Sequence, residues 1–263
     1  MKLSRGSWCP SCYQLDRQNR VIITPKLREI IDGLLLGDGS CLLGDKGAKC
    51  SYILYSCTSS LDTIAYISQI LQGNGINQCG KIYQVDKKSG IPRSRYNSRC
   101  YRDLNDINDK WYLHDRKFCP LCEIYYQIKQ TNCSRCNTQL ARKIIPRDIQ
   151  ITPTTLFLWF IGDGNYQDKP VFTLHTNAFL REDNKFLKSK LAEIGLELNY
   201  YKHNILSTSK KYIVKRCFEY MKQSEHYEKI KKIYSGTTYY KNKFPEDDSV
   251  FEYKINRKYL SNL

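Results

Sequence analysis

The sequence predicts an α+β protein built from a duplicated helix–strands–helix unit, with a small cysteine-bearing segment between the copies. Three observations predict it. A helix that starts at Ile23-Thr24-Pro25 and stops at Gly37-Asp38-Gly39 has a counterpart that starts at Ile151-Thr152-Pro153 and stops at Gly162-Asp163-Gly164. The order of strand-prone and helix-prone stretches after each of these helices is the same. Two Cys-x-x-Cys pairs, ten residues apart, stand between the copies.

In the first unit Thr24 is a good N-cap and Pro25 a good first helical residue. Leu27, Ile30, Ile31 and Leu34 recur at helical spacing, so one face is apolar. Gly33 and Gly37 share a face and let a partner helix approach closer than the usual ~8–10 Å. A turn-rich stretch, a β-prone run at Tyr52–Tyr55, a helix over Leu61–Leu71 stopping near Gly73 and Gly75, and a β-prone piece at Lys81–Val85 follow.

The second unit repeats the order. Its helix runs from Thr152 to Ile161 and ends on Asp163. A strand at Val171–Leu174, a helix from about Glu182 to Ile194 stopping at Gly195, strands at Leu198–Lys202 and Asn204–Ser207, and a helix near Ile213–Met221 come after it. The expected organisation is an N-terminal extension with a Cys pair (1–23), a first half (24–115), a linker insertion (116–145), a second half (146–225) and a basic C-terminal tail (226–263).

An apolar helix that stops on an aspartate is a costly choice. The helix C-terminus already carries partial negative charge, so a carboxylate there costs roughly 0.3–1 kcal/mol. If the two helices pack side by side, Asp38 and Asp163 meet, and two such charges resist joint ionisation without a counter-charge. A divalent cation supplies it, and hard oxygen ligands favour Mg²⁺. Metals so held can activate water and stabilise the leaving oxygen in phosphodiester cleavage.

The 263 residues carry 42 Lys and Arg against 26 Asp and Glu, a net charge of +16 that points to a polyanionic partner, nucleic acid first. The 21 tyrosines suit such a surface as stacking faces and phosphate donors, although strands and cores use tyrosine too. The longest apolar runs are too short to span a bilayer, so no membrane partner is expected. No export signal is seen, and an intracellular setting is expected, in an organelle, a bacterium or a phage.

The stretches Ile31-Asp32-Gly33-Leu34-Leu35-Leu36-Gly37-Asp38-Gly39 and Leu156-Phe157-Leu158-Trp159-Phe160-Ile161-Gly162-Asp163-Gly164 resemble the paired motifs of single-chain LAGLIDADG homing endonucleases. The resemblance implies a pseudo-twofold αββαββα homing-endonuclease fold whose antiparallel sheets bind double-stranded DNA, and an Mg²⁺-dependent, site-specific endonuclease that works as a monomer. It also implies that Asp38 and Asp163, with Gly37 and Gly162, form the catalytic metal site. An RNA-binding maturase acting on its own intron RNA, or a DNA-binding regulator with a dead site, are the alternatives on the same scaffold. Asp32 and Phe157 depart from the family's small residues. Leu158 replaces the first glycine of the second motif and is expected to fill the space over Gly33.

A lysine is expected beside the acids, and Lys143 is the candidate, a plain surface lysine being the alternative. Candidate DNA contacts are Lys46 and Lys49 after the first motif, the cluster Arg93, Arg95, Tyr96, Arg99 and Arg102, then Lys169, His175, Tyr201, Lys202, Lys210 and Lys211 in the second half. A solvated edge strand is the alternative for each set.

The chain has 12 cysteines. Cys119-Pro120-Leu121-Cys122 and Cys133-Ser134-Arg135-Cys136 can complete a tetrahedral, closed Zn²⁺ site of structural type, with unligated thiols as the alternative. Cys9 and Cys12 form a third pair, either a second site with a distant cysteine such as Cys100 or a partner for one of the later pairs. Cys41, Cys50, Cys57, Cys79 and Cys217 read as ordinary thiols.

Overall fold

The structure is a computed structural model that describes residues 19–44, 50–57, 61–85, 93–167, 170–201, 204–235, 237–245 and 251. The first half runs α1 (Pro25–Leu36), β1 (Gly39–Leu43), β2 (Ser51–Cys57), α2 (Leu61–Gly73), β3 (Tyr83–Val85), β4 (Arg93–Asn97) and α3 (Asn105–Trp111). A hairpin of β5 (Arg116–Phe118) and β6 (Tyr125–Gln127) follows. The second half runs α4 (Pro153–Asp163), β7 (Gly164–Gln167), β8 (Val171–His175), α5 (Arg181–Glu193), β9 (Asn199–Tyr201), β10 (Ile205–Thr208) and α6 (Lys211–Met221). Helix α7 (Tyr227–Tyr234) and a 3-10 turn at Tyr240–Asn242 come last among the described elements.

The two four-stranded sheets have the same order, β1-β2-β4-β3 and β7-β8-β10-β9, and every pairing is antiparallel. The duplication is therefore an αββαββα unit repeated. Strands β1 and β7, implied by the resemblance, carry little signal in their own residues, because each is short, opens on glycine and carries few β-branched residues. Each forms because it follows its motif helix directly and pairs with the next strand, Gly39 opposite Tyr55 and Gly164 opposite Leu174.

Helices α1 and α4 lie against each other in the centre. Both start as expected, Thr24 Oγ1 accepting from Leu27 N at 3.1 Å and Thr152 Oγ1 from Thr155 N at 3.2 Å. Glycine sets their spacing. A Cβ on Gly33 would meet Thr155 O at 2.8 Å and Leu158 Cβ at 2.9 Å, so Leu158 fills the space over Gly33. One turn on, a Cβ on Gly37 would lie 3.1 Å from Gly162 Cα, and here glycine faces glycine.

Helix α4 is apolar on all sides from Leu156 to Ile161 and is correspondingly enclosed. Phe160 stacks on Phe172 with centroids 4.9 Å apart, and Phe157 packs on Tyr227 at 5.0 Å. The second contact brings α7 into the core, and Phe244 joins it against Tyr227 and Tyr234. Asp32 is buried, with Arg28 Nε donating to both its oxygens at 2.8 Å and Trp111 Nε1 to one at 3.1 Å. That pairing accounts for a carboxylate at a motif position where apolar packing would otherwise be expected. Among the described residues no helix is long and apolar enough to cross a membrane.

Candidate active site and cysteine cluster

The motif helices end side by side, and their aspartates follow from that. A Cβ on Gly162 would lie 2.8 Å from the backbone nitrogen of Asp38. Burial first, and then the charge of Asp163, push the Asp38 carboxyl up to about 7, against the opposing pull of Arg93, Lys243 and Lys143. Burial also raises the Asp163 carboxyl, against the pull of Lys143, Lys243, His175 and Arg93. Each helix adds the partial negative charge of its C-terminus.

Two lysines enter this pocket of negative charge. Lys143 Nζ donates to Gly39 O at 2.9 Å, and Lys243 Nζ donates to Phe160 O at 2.9 Å and to Gly164 O. Gly39 and Gly164 are the last glycines of the two motifs, so the lysines occupy matching places about the pseudo-twofold axis. Burial lowers both ammonium groups to about 8, although Asp163 and Asp38 hold them up.

Lys143, the candidate from the sequence, lies close enough to the acids for Asp163 and Asp38 to act on its charge. Lys243 was missed, since it lies in a stretch that read as a basic tail. The signal for it was the apolar spacing of Tyr227, Ile230 and Tyr234, followed by Phe244, which marks a segment that returns to the core.

The donor set suits a divalent metal. Two half-buried carboxylates sit at two helix C-termini, and Asp38 remains above the usual carboxylate range even with three cationic side chains around it. The donors of such a site are hard oxygens, the kind that Mg²⁺ and similar cations take.

The candidate DNA contacts separate. Arg93 acts on the charge of both aspartates and His175 on that of Asp163, so these two flank the acids. Arg95 shares the open face of the first sheet with Arg93 and Asn97. Tyr96 does not: it points to the opposite face, is 0% exposed, and its hydroxyl donates to Ile76 O at 3.3 Å. Its expected contact with DNA is thereby replaced by a core role, and the alternation along β4 is the reason.

On the second sheet the open face carries a row His175–Ile205–Tyr201 and a row Asn165–Thr173–Ser207–Asn199. The second row, apt for hydrogen bonding, was missed. Tyr201 is exposed there. Arg99 and Arg102 are exposed beyond β4, and Lys210 and Lys211 sit at the start of α6, off the strand ladders. Lys46, Lys49, Lys169, Lys202, Cys9 and Cys12 lie outside the described residues.

The four cysteines of the linker come together. The sulfurs of Cys119, Cys122, Cys133 and Cys136 lie within 4.8 Å of one another, the only group of three or more metal-binding side chains among the described residues. The two pairs have the same local form. Glu123 N donates to Cys119 O and Asn137 N to Cys133 O, both at 2.9 Å. The residue after each pair, Glu123 and Asn137, has a left-handed backbone with φ of 56° and 57°. Tyr126 OH lies 3.0 Å from Cys133 Sγ, placed to donate to a thiolate. Two nearby cations serve the hairpin itself, Lys117 Nζ donating to Gln130 O at 2.7 Å and Arg116 lying 4.7 Å from the Tyr125 ring centre. Cys41, Cys50, Cys57, Cys100 and Cys217 are buried and Cys79 is partly so.

No family model matches the chain. An uncharacterized protein of Methanocaldococcus jannaschii is 27% identical over 182 residues, 68% of this chain. The match spans 58% of that relative's length. Among solved structures, the homing endonuclease I-WcaI bound to its DNA recognition sequence is similar with a TM-score of 0.55 at 16% identity, over 86% of this chain and 93% of that one. I-DmoI in complex with DNA and Mn matches 76% of this chain and 98% of that one, at 12% identity and a TM-score of 0.42. With its repeated αββαββα unit, paired motif helices and two antiparallel sheets, the chain has the homing-endonuclease fold.

Proposed function

We propose that this protein is a site-specific DNA endonuclease of LAGLIDADG type that hydrolyses one phosphodiester bond on each strand of a duplex. The observation that carries the reading is the meeting of Asp38 and Asp163 at the paired helix ends, with Lys143 and Lys243 disposed symmetrically about them. I-WcaI, which shares the fold, is seen on DNA, and the net charge of +16 suits the same partner here.

Asp38 and Asp163, with the backbone at Gly37 and Gly162, would hold Mg²⁺. Bound there, the cation would lower the pKa of attacking water and offset charge on the leaving oxygen. A phosphodiester held at the acids would lie beside the two lysines, and ammonium groups lowered to about 8 can hold or release a proton near neutral pH. Arg93 and His175 flank the acids and would neutralise adjacent phosphates. The open sheet faces, with Arg95 and Asn97 on one and Thr173, Asn199 and Tyr201 on the other, would read the two half-sites in the major groove. Retention of both carboxylates favours this over a DNA-binding regulator with a dead site.

The four clustered cysteines would hold one structural Zn²⁺. Four thiolates fill the tetrahedron and leave no open position for chemistry. Metal analysis should find about one zinc per chain, and Cys119→Ser/Cys133→Ser should lose it; undiminished zinc in that variant would overturn the assignment.

The nuclease reading is tested with a randomised duplex library incubated with the protein and Mg²⁺. A recovered consensus cut on both strands supports it. No cleavage in Mg²⁺ or Mn²⁺ of any library member would refute it.

A further inference from the structure

Lys143 and Lys243 reach the acid pair by unrelated routes. Lys243 follows the 3-10 turn Tyr240–Asn242, and the neighbouring Phe244 is locked among Tyr227, Tyr234 and Tyr240. Lys143 instead emerges from the cysteine segment, seven residues after Cys136.

The backbone around Lys143 is held edge to edge with chain that leads into the cysteines. Phe118 and Ala141 exchange hydrogen bonds of 2.8 Å in both directions, Leu113 N donates to Arg142 O at 2.9 Å, and Ile144 N to Trp111 O at 2.8 Å. Cys119 directly follows Phe118, and Cys133 and Cys136 precede the returning chain. The sulfur cluster therefore joins the two sides of this ladder at the end away from Lys143.

A second tie runs through Asn204. Its Nδ2 donates to Pro120 O at 3.1 Å, within the first cysteine pair, and to Phe179 O at 3.0 Å. Its Oδ1 accepts from the Tyr200 hydroxyl. The Phe179 ring centre is 5.9 Å from Lys143 Nζ, with Trp111 at 5.8 Å.

The apolar core of the hairpin is small. Its own core is Cys119, Cys133 and Leu140, with Cys122 and Tyr126 beside them. So small a core does not sustain a fold, and bound metal would supply the folding free energy.

We propose that the metal-loaded cysteine segment is the positioning element for Lys143, so that occupancy of the four cysteines decides whether one of the two lysines is in place beside Asp38 and Asp163. Lys243 is independent of it. The consequence for cleavage rests on the nuclease reading above; the positioning itself does not.

The test compares zinc-loaded full-length protein with Cys119→Ser/Cys133→Ser by amine-reactive labelling resolved by mass spectrometry, with Lys243 as reference in the same molecule. Labelling of Lys143 should rise about tenfold, as a locally opened segment allows, while Lys243 changes by less than about twofold. An unchanged Lys143, or an equal rise at both lysines, would overturn the proposal. Asn204→Gly serves if the double variant does not fold, because glycine keeps the left-handed backbone (φ 56°) and removes only the amide. In zinc-loaded Asn204→Gly a selective rise at Lys143 supports the route, and no change refutes it.

Strand-resolved cleavage of a library-selected duplex adds a second readout. The cysteine variant should reproduce the strand preference of Lys143→Met, and not that of Lys243→Met. Matching Lys243→Met, or favouring neither, overturns the proposal. Wild-type protein that cuts nothing, while the labelling result holds, would refute the nuclease reading and leave the positioning role standing.

Discussion

The backbone nitrogen of Asp38 lies 2.8 Å from the point where a side chain on Gly162 would begin. That contact joins the two halves at the atom level and brings their acids together. Gly162→Ala is expected to force the helix ends apart and destabilise the fold by about 1–3 kcal/mol, the usual range for overpacking. Cleavage should fall more than DNA binding, which rests on the sheets. Urea unfolding and binding assays on the one variant check both, and an unchanged midpoint would show that the helices are not so closely apposed.

The acids are held together at a cost to stability. Burial raises both carboxyls, and their like charges raise Asp38 further. Without metal, Asp38→Asn or Asp163→Asn should therefore stabilise the protein by about 0.5–2 kcal/mol, in the range of other single stabilising changes. Mg²⁺ should narrow the difference, because it stabilises only the chain that binds it. Thermal melts with and without Mg²⁺ measure this, and a destabilised Asn variant in the absence of metal would contradict it.

The sign of the pH dependence follows from the same groups. The Asp38 carboxyl stands near 7 in the fold against 3.8 ordinarily, so between those values the folded chain keeps a proton that the unfolded chain has lost. Its contribution to stability thus declines as pH rises from about 4 to 7. Relative to wild type, Asp38→Asn should gain stability across that window. Lys143 and Lys243 stand near 8 against 10.5, so between those values the unfolded chain holds the proton and stability rises with pH. Lys143→Met should be more stable than wild type below pH 8, with the advantage shrinking toward 10.5. Parallel curves for wild type and variants would refute these assignments.

Binding should be steeply salt-dependent if the open faces meet a duplex. The logarithm of affinity should fall by ~0.9 per phosphate neutralised as the logarithm of salt concentration rises. Arg93→Ala should lower that slope by about one contact. A flat response would count against the basic faces as the DNA surface.

Much of the scaffold was legible because its signals are local. Thr24-Pro25 and Thr152-Pro153 start helices by hydrogen bonds within one turn, and Gly33 and Gly37 mark a face that must stay bare. The replacement of a motif glycine by Leu158 even indicated its partner, Gly33. The Cys-x-x-Cys pairs were readable because ligand spacing is itself local.

What escaped depends on distant chain. Strands β1 and β7, which only the resemblance implied, exist through their pairing with β2 and β8, and Lys243 reaches the acids only because Phe244 and α7 fold back onto Phe157. Tyr96 was misread for another reason. Arg93, Arg95 and Tyr96 read as one basic–aromatic patch, whereas a strand sends Arg93 and Arg95 to one face and Tyr96 to the other.

The most direct measurement uses Asp38→Asn and Asp163→Asn on a duplex selected by the wild-type protein, with cleavage and binding followed on the same samples. Each variant should bind within about threefold of wild type, because the substitution is isosteric and the sheet contacts remain, and should lose double-strand cleavage in Mg²⁺ by at least ~10²-fold, the scale of removing a principal charge-stabilising group. Unimpaired cutting of both strands by either variant would contradict the assignment of the two aspartates as the catalytic pair.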